Sequence, residues 1–487
     1  MKPDFDNSHL FSFDDSFASL LYLGKLNKRA YKRAKASFEE ARTFCNEYIR
    51  PMALAMDLKI QKDPKAVAWE MVDVAVKHRR LSAMLPKFMG GMGGSIWATN
   101  PIMEEQGSVD PGFSGLMGGH GLGLVALMLT FNFKMLDWVT QQIVKGENEG
   151  KPFLIDCAIT EPTAGTDVEE AELLPHARLI CEARRTNGGV VLNGRKCFIS
   201  TGHAAVYHLV IIPFDRRDPL GSFGVFLVPG DTPGFSLGRI EEKMGQKAGP
   251  ASELIFEDCF IPSDMVLADP EQIPAGASQR LLEGVLGITR IAVGAWATGI
   301  ARGAFEKALA FAKTYKWKGK TLIQHQFAQE AITDMLMNVY TARSVYLEAT
   351  HALLSAKSSG LRGDIPWFME TELFAKIYNS ERMRKLRYSP WVRKLVIKGF
   401  VKAPKEESQR IQFYASLAKV VGSDIGMDNC HRAIELMGAV GVRHDVGVEK
   451  LFRDAKLCQI FEGTNQLNRL NMFKHFLARD IPGVEVF

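Results

Sequence analysis

The chain has 487 residues, 46% of them hydrophobic and 24% charged, and a formal net charge of +5. That balance excludes extended disorder, and the length calls for two to four domains or layers rather than one small core. A charge of +5 on a chain this long falls short of a nucleic-acid footprint unless it is clustered.

The N-terminus, "MKPDFDNSHLFSFDDSF", mixes acids among aromatics and resembles neither a signal peptide nor an arginine-rich transit peptide. Seven cysteines are scattered without a C-x-x-C pair or a histidine pattern, which points to a reducing compartment and leaves no metal site expected. No apolar run reaches the roughly 18 to 20 residues of a membrane span, so a cytoplasmic protein is the expectation. Residues 1–40 are set apart as an N-terminal extension. Residues 41–150 read as a helical domain: "AVAWEMVDVAVKHRRLSAML" has apolar residues at three- and four-residue spacing, and "GLGLVALMLTFNF" reads as a buried helix. The G-x-G-x-x-A within it lacks a preceding strand and is not expected to bind a dinucleotide.

Over residues 151–270 the period changes. "FLIDCAIT", "VVLNGRKCFIS", "VYHLVIIPF", "SFGVFLVPG" and "SELIFEDCFIP" are short β-rich runs between Gly, Pro, Asp and Asn, and Asn193-Gly194 is a hairpin-turn signal. From residue 275 to 487 long helical patterns return. The first carries Ala292, Gly294, Ala295, Ala297, Gly299, Ala301 and Gly303, residues that let helix backbones approach closely in a bundle.

Near the C-terminus, in "AKLCQIFEGTNQLNRL", Glu462 follows Ile460 and Phe461 and abuts Gly463 where one apolar segment stops and another begins. The residues leave two readings open: a solvated loop glutamate, or a carboxylate whose apolar surroundings raise its pKa toward that of a general base. Three further segments stand out: "CAITEPTAGTDV", a strand-like run breaking into a small-residue loop able to face a ring edge or pyrophosphate; "NGRKCFISTGHAAVYHLV"; and "IEEKMGQKAGPASELIFEDCFIPSDMVL".

In this order and at these separations the segments resemble the acyl-CoA dehydrogenase family of flavoproteins, over roughly residues 40–477. The resemblance implies an α+β multidomain fold with an N-terminal helical domain, a middle β-barrel-like domain and a C-terminal four-helix bundle. It also implies FAD between the β-domain and the bundle, an acyl-CoA substrate, electron-transfer flavoprotein as acceptor, and a homotetramer or homodimer. By its place in "IFEGT", Glu462 matches the family's catalytic base, with Ile460 and Phe461 excluding water and Gly463 leaving room for the thioester. Thr289, in "GITRIAV", stands near where some relatives place the base instead. The match further assigns cofactor contacts to Cys157, Ala158, Ile159, Thr160, Gly165, Thr166, Phe198, Ile199, Ser200, Thr464 and Gln466. Gln326, Glu435 and Gly438 would meet the FAD of a neighbouring subunit. Thr166 and Gly463 would contact substrate, Arg290 would either contact substrate or form a salt bridge within the bundle, and Thr464 can also cap a helix starting at Asn465. Residues around "NPIMEEQGSVDPGFSG" would set pocket depth.

Two departures matter. In "YKWKG", Tyr315 stands where many relatives carry a pyrophosphate-binding arginine, and Glu435 stands where a glutamine is usual. These departures make a non-catalytic scaffold that has lost FAD one alternative; an oxidase running the same half-reaction with oxygen as acceptor is the other. An extra basic segment at 355–412 separates two bundle helices. It reads as a solvated elaboration packed on the bundle, or as a docking element making weak contact with an anionic membrane or an acidic redox partner. Plotted at 100° per residue, its faces do not separate, because Phe400 falls beside Arg393.

Overall fold

The computed structural model describes residues 11–356, 366–481, 483–484 and 486–487. The start of the N-terminal extension and residues 357–365 of the basic segment lie outside the described residues.

The N-terminal helices are α1 (Ala18–Leu26), α2 (Lys28–Phe44), α3 (Arg50–Lys62), α4 (Trp69–Lys77), α5 (Thr99–Val109), α6 (Pro111–Leu129) and α7 (Phe133–Glu149). α2 runs straight through residue 40, so the extension and the helical domain share an element. α6 contains the G-x-G-x-x-A stretch, and its Gly123 serves packing: a Cβ there would sit 2.8 Å from the carbonyl oxygen of Asp156. The glycine lets α6 lie directly on the first strand of the next domain.

That domain holds eight strands: β1 (Ile155–Ala158), β2 (Glu182–Thr186), β3 (Gly189–Ser200), β4 (Tyr207–Pro213), β5 (Phe223–Pro229), β6 (Phe235–Ile240), β7 (Ala251–Pro262) and β8 (Val266–Ala268). They form two four-stranded sheets, ordered β1-β4-β5-β8 and β2-β3-β7-β6. The expected barrel does not close. β1 and β8, the edges of the first sheet, span only four and three residues, too short to pair with the long strands opposite. The sheets instead pack face to face on Val190, Leu192, Val210, Ile212, Phe226 and Phe256. The first sheet is also covered on its other face by α6 and the start of the bundle, through Phe113, Leu127, Leu209, Leu227 and Val285. Burial on both faces explains why β4 and β5 read as unbroken apolar runs.

The hairpin turn lies elsewhere than expected. Asn187-Gly188, with Gly188 at φ 80°, joins β2 to β3, whereas Asn193-Gly194 sits within β3 at a bulge against β7. Asn193 is occupied by Asp258, giving a 3.1 Å amide-to-carboxylate bond and accepting the Asp258 N–H at 2.8 Å. A Cβ at Gly194 would meet Cys181 at 2.7 Å, so the glycine answers to packing.

The bundle consists of α8 (Ala277–Thr314), α9 (Gln326–Ser355), α13 (Lys405–Met437), α14 (Val448–Cys458) and α15 (Asn465–Met472). Between α9 and α13 come α10 (Glu372–Tyr378), α11 (Glu381–Arg387) and α12 (Pro390–Val401). The small-residue stripe acts as expected. A Cβ at Gly294 would fall 2.5 Å from the Ala418 oxygen of α13, and one at Gly299 2.1 Å from the Glu104 oxygen of α5. Contrary to the sequence expectation, α6 and α8 are long and apolar enough to cross a membrane, but most of each apolar stretch is buried inside this fold.

Candidate functional site

Glu462 lies in the turn between α14 and α15. It and Gly463 are consecutive left-handed residues, at φ 56° and 77°. For a non-glycine this conformation costs roughly 1 kcal/mol or more, so something must hold it. Three side chains from three helices do. Arg290 Nε of α8 donates to the Glu462 carbonyl at 3.1 Å, Lys419 Nζ of α13 donates to the Gly463 carbonyl at 2.7 Å, and Asn468 Nδ2 of α15 reaches the Gly463 carbonyl at 2.9 Å. With both carbonyls turned inward, the Glu462 N–H has no protein acceptor among the described residues. Thr464 caps α15 through the Leu467 N–H at 3.3 Å, as the sequence suggests.

The carboxylate takes a hydrogen bond from Thr289 Oγ1 at 2.6 Å. Burial raises its pKa, opposed by that bond and by the charges of Arg290 and Lys419. The solvated-loop reading is thereby set aside. The apolar shield differs from the expected one. Phe461 packs on Trp296 with ring centroids 5.2 Å apart, whereas Ile460 is 51% exposed and excludes little water.

Sequence reasoning missed Glu169. It ends a short 3-10 turn, Thr166–Glu169, directly after the "TEPTAGTD" loop. Its backbone carbonyl accepts from Arg290 Nη2 at 3.5 Å, and its Oε2, buried and without a hydrogen bond, lies 4.0 Å from the same guanidinium. Burial and the charge of Glu462 push its pKa up, against Arg290 and Lys419. Lys419 itself is brought down to about 8 by burial. The signal for Glu169 was the acid run "DVEEAE", which resembles a solvated surface. Two of its members hold Lys474 instead: Glu170, itself buried, at 2.9 Å, and the exposed Glu172.

The loop before Glu169 is fastened by a buried ion pair. Lys196 Nζ contacts Glu161 at 2.9 Å and the Ile159 carbonyl at 2.8 Å, while Glu161 accepts the N–H groups of Ile180 and Cys181. The Cys197 N–H donates to the Thr160 carbonyl, placing Thr160 against the end of β3. There Phe198 stands at φ 56° and is 58% exposed. The hydroxyls of Thr160, Thr166 and Ser200 have no protein partner among the described residues, and a Cβ at Gly165 would meet nothing. An exposed aromatic ring flanked by free hydroxyls and an open glycine fits the edge of a flavin. The side chains of Ala158 and Ile199 are in the inter-sheet core and Cys157 is buried, leaving these three only backbone groups to offer a ligand.

Gln326, Glu435 and Gly438 gather at the far end of the bundle, where Leu436 packs with Leu322 and Ala328. Gln326 is exposed, and Glu435 is exposed with His431 Nε2 3.2 Å from its carboxylate. Tyr315 stacks on Phe311. At 1.5 Å per residue, α8 separates Thr289 from Tyr315 by about 39 Å, so one protomer cannot bring both ends to the same flavin. Gln466 is exposed on α15.

Fold and site define a class: a helical domain, a two-sheet domain and a helical bundle, with a carboxylate held in the turn before the last helix. Residues 32–132, 157–259, and 279–386 with 392–477 match the acyl-CoA dehydrogenase N-terminal, middle and C-terminal domains. The chain belongs to the acyl-CoA dehydrogenase family, whose members are flavoprotein oxidoreductases. It is 28% identical over 437 residues to "Probable acyl-CoA dehydrogenase FadE25" of Mycobacterium tuberculosis, covering 90% of this chain and 93% of that one. It is also 28% identical to cyclohexane-1-carbonyl-CoA dehydrogenase of Geobacter metallireducens, over 66% of this chain and 67% of that one. Among solved structures, butyryl-CoA dehydrogenase from Megasphaera elsdenii superposes with a TM-score of 0.70 at 23% identity, covering 91% and 98%. An FAD complex of PigA gives 0.68 at 18%, covering 92% and 98%.

Proposed function

We propose that this protein is an FAD-dependent acyl-CoA dehydrogenase that introduces an α,β double bond into a thioester, with Glu462 as the base. The observation that carries this reading is the pinned Glu462 turn, in which one residue supplies both a carboxylate of raised pKa and a main-chain N–H without a protein acceptor among the described residues. The Glu462 carboxylate removes the α-proton, and its N–H donates to the thioester oxygen as charge builds there. Thr289 orients the carboxylate, and Arg290, Lys419 and Asn468 keep the turn from relaxing. Thr160, Thr166, Phe198 and Ser200 would hold FAD, which when bound accepts the β-hydride that no side chain can take. The far-end residues Gln326, Glu435 and Gly438 would serve the FAD of a second copy, which makes a homodimer or homotetramer the working unit. Electron-transfer flavoprotein is the proposed acceptor.

The test is the visible spectrum of the purified protein followed by anaerobic titration with a panel of acyl-CoA thioesters. Bleaching of a flavin band by one class of thioester supports the reading and names the substrate. A colourless protein that FAD cannot reconstitute overturns it in favour of the scaffold.

Glu169 adds a pH dependence. Glu462 has a hydroxyl donor and Glu169 has none, so a proton shared by the two carboxyls resides on Glu169. Raising the pH removes it and places a second negative charge beside the forming enolate. Stopped-flow flavin reduction by wild type should therefore fall on the alkaline side with the loss of about two protons, from Glu169 and Lys419, and by Glu169→Gln with about one. An alkaline limb of equal steepness in both proteins would remove Glu169 from this role.

A further inference from the structure

The described part of the insert between α9 and α13, residues 366–404, carries nine Lys or Arg against three Asp or Glu, a net +6. Since the whole chain is +5, the remaining residues sum to −1, and the protein's positive charge is concentrated here. The insert is firmly seated. Phe374 and Tyr378 of α10 pack on Phe88 with centroids 5.3 and 4.5 Å apart. Asp137 of α7 accepts from Tyr378 at 2.9 Å and Tyr388 at 2.8 Å and pairs with Arg387.

α12 resolves the mixed faces of the helical plot. Its inner face is Arg393, Ile397 and Phe400. Arg393 donates to the Thr130 carbonyl at 3.0 Å and to that of Leu267, Ile397 is buried, and Phe400 packs on Phe131 at 5.3 Å. Arg393 is thus a charge used inside, capping carbonyls. Its removal from the surface inventory leaves a clean outer face: Trp391, Lys394, Leu395 and Lys398, followed by Lys402 just past the helix end, at helical spacing. Trp391 is 61% exposed and Leu395 62%. Elsewhere on the insert Trp367, Phe368, Leu373 and Leu386 are also exposed.

We propose that this face docks the enzyme on an anionic phospholipid bilayer, with Trp391 and Leu395 entering the headgroup boundary and Lys394, Lys398 and Lys402 meeting the phosphates. Apolar and cationic side chains alternate along one face here. A bilayer satisfies both at once, because negative charge lies a few ångströms above an apolar layer and lysine stems reach up from it. A second copy presenting the same patch would bring like charges together. An acidic redox protein would match the lysines alone, and the face does not include Thr160, Phe198 or Ser200, where the flavin that gives up the electrons would lie.

Co-sedimentation of the flavin-loaded enzyme with vesicles tests this. Wild type should pellet with vesicles of mixed phosphatidylglycerol and phosphatidylcholine, stay in solution with phosphatidylcholine alone, and be released as salt shortens the screening length. Lys394→Glu/Lys398→Glu/Lys402→Glu should lower partitioning about 100-fold, and Trp391→Ser/Leu395→Ser about tenfold, with flavin spectrum and melting temperature unchanged. Wild type that ignores anionic vesicles, or a triple variant that binds as wild type does, overturns the proposal. Failure with vesicles alongside salt-sensitive binding to an acidic protein would reassign the face to a protein partner. None of these outcomes depends on whether a thioester bleaches the flavin.

Discussion

Glu462→Gln is expected to slow thioester-driven flavin reduction by a factor of about 1,000 to 10,000 while FAD content stays at the wild-type level. Glutamine has the same length, can adopt the same left-handed backbone with the same strain, and its amide oxygen can accept from Thr289 Oγ1 as Glu462 does now at 2.6 Å. The carbonyl anchors from Arg290, Lys419 and Asn468 act on main-chain oxygens and survive the change. What is lost is the capacity to take a proton. Glu462→Asp keeps that capacity but withdraws the carboxylate by one methylene, so its rate should fall between the two. Anaerobic stopped-flow with the thioester that bleaches wild type makes the measurement. A Gln variant retaining more than a tenth of the rate would show that Glu462 is not the base, and Glu169 would be the next carboxylate to test.

The same turn shows what a sequence can and cannot reveal. Glu462 was legible because an acid set between an apolar run and a glycine breaks the local pattern, and the α/β/α order of the three regions was legible from the change of period. Glu169 was hidden because an acid run looks solvated, and only the fold brings Arg290 of a distant helix to it. Asn193-Gly194 carries a strong local turn signal, yet Cys181 and Asp258 claim both residues for the inside of a sheet, while Asn187-Gly188, the same dipeptide six residues earlier, makes the turn. The open sandwich depends on strand lengths at the sheet edges, which composition does not report. On α12 a charge turned inward toward carbonyls scrambled the helical plot. For Glu169, Asn193-Gly194 and Arg393 the missed feature is a long-range partner, whereas the small-residue stripe was legible without knowing which helix would meet it, because a run of Gly and Ala itself announces close approach.

Glu104→Gln is expected to destabilise the folded protein by about 3 to 5 kcal/mol, the largest stability effect of any single substitution considered. Glu104 and Glu105 do not point toward the Glu462 turn. They are fully buried in a cluster whose charges balance, three acids (Glu104, Glu105, Glu306) against three arginines (Arg42, Arg302, Arg343). Glu104 Oε2 accepts from Arg343 Nε at 3.0 Å and Tyr346 Oη at 2.7 Å, and Oε1 accepts from Arg343 Nη2 at 2.6 Å. Burial alone would raise its pKa, but the charge and hydrogen bonds of Arg343, with Arg302 and Tyr346, outweigh it and hold the group at about 2. A depressed carboxylate pKa contributes stability that is present above the usual 4.5 and drains away as pH falls toward 2. Urea midpoints of wild type should therefore drop across that interval more steeply than those of Glu104→Gln. The charge balance supplies the control. Glu104→Leu/Arg343→Leu leaves two acids against two arginines, so it should be more stable than either single substitution, whereas a double variant no better than Glu104→Leu would mean that packing, not charge, sets the cost.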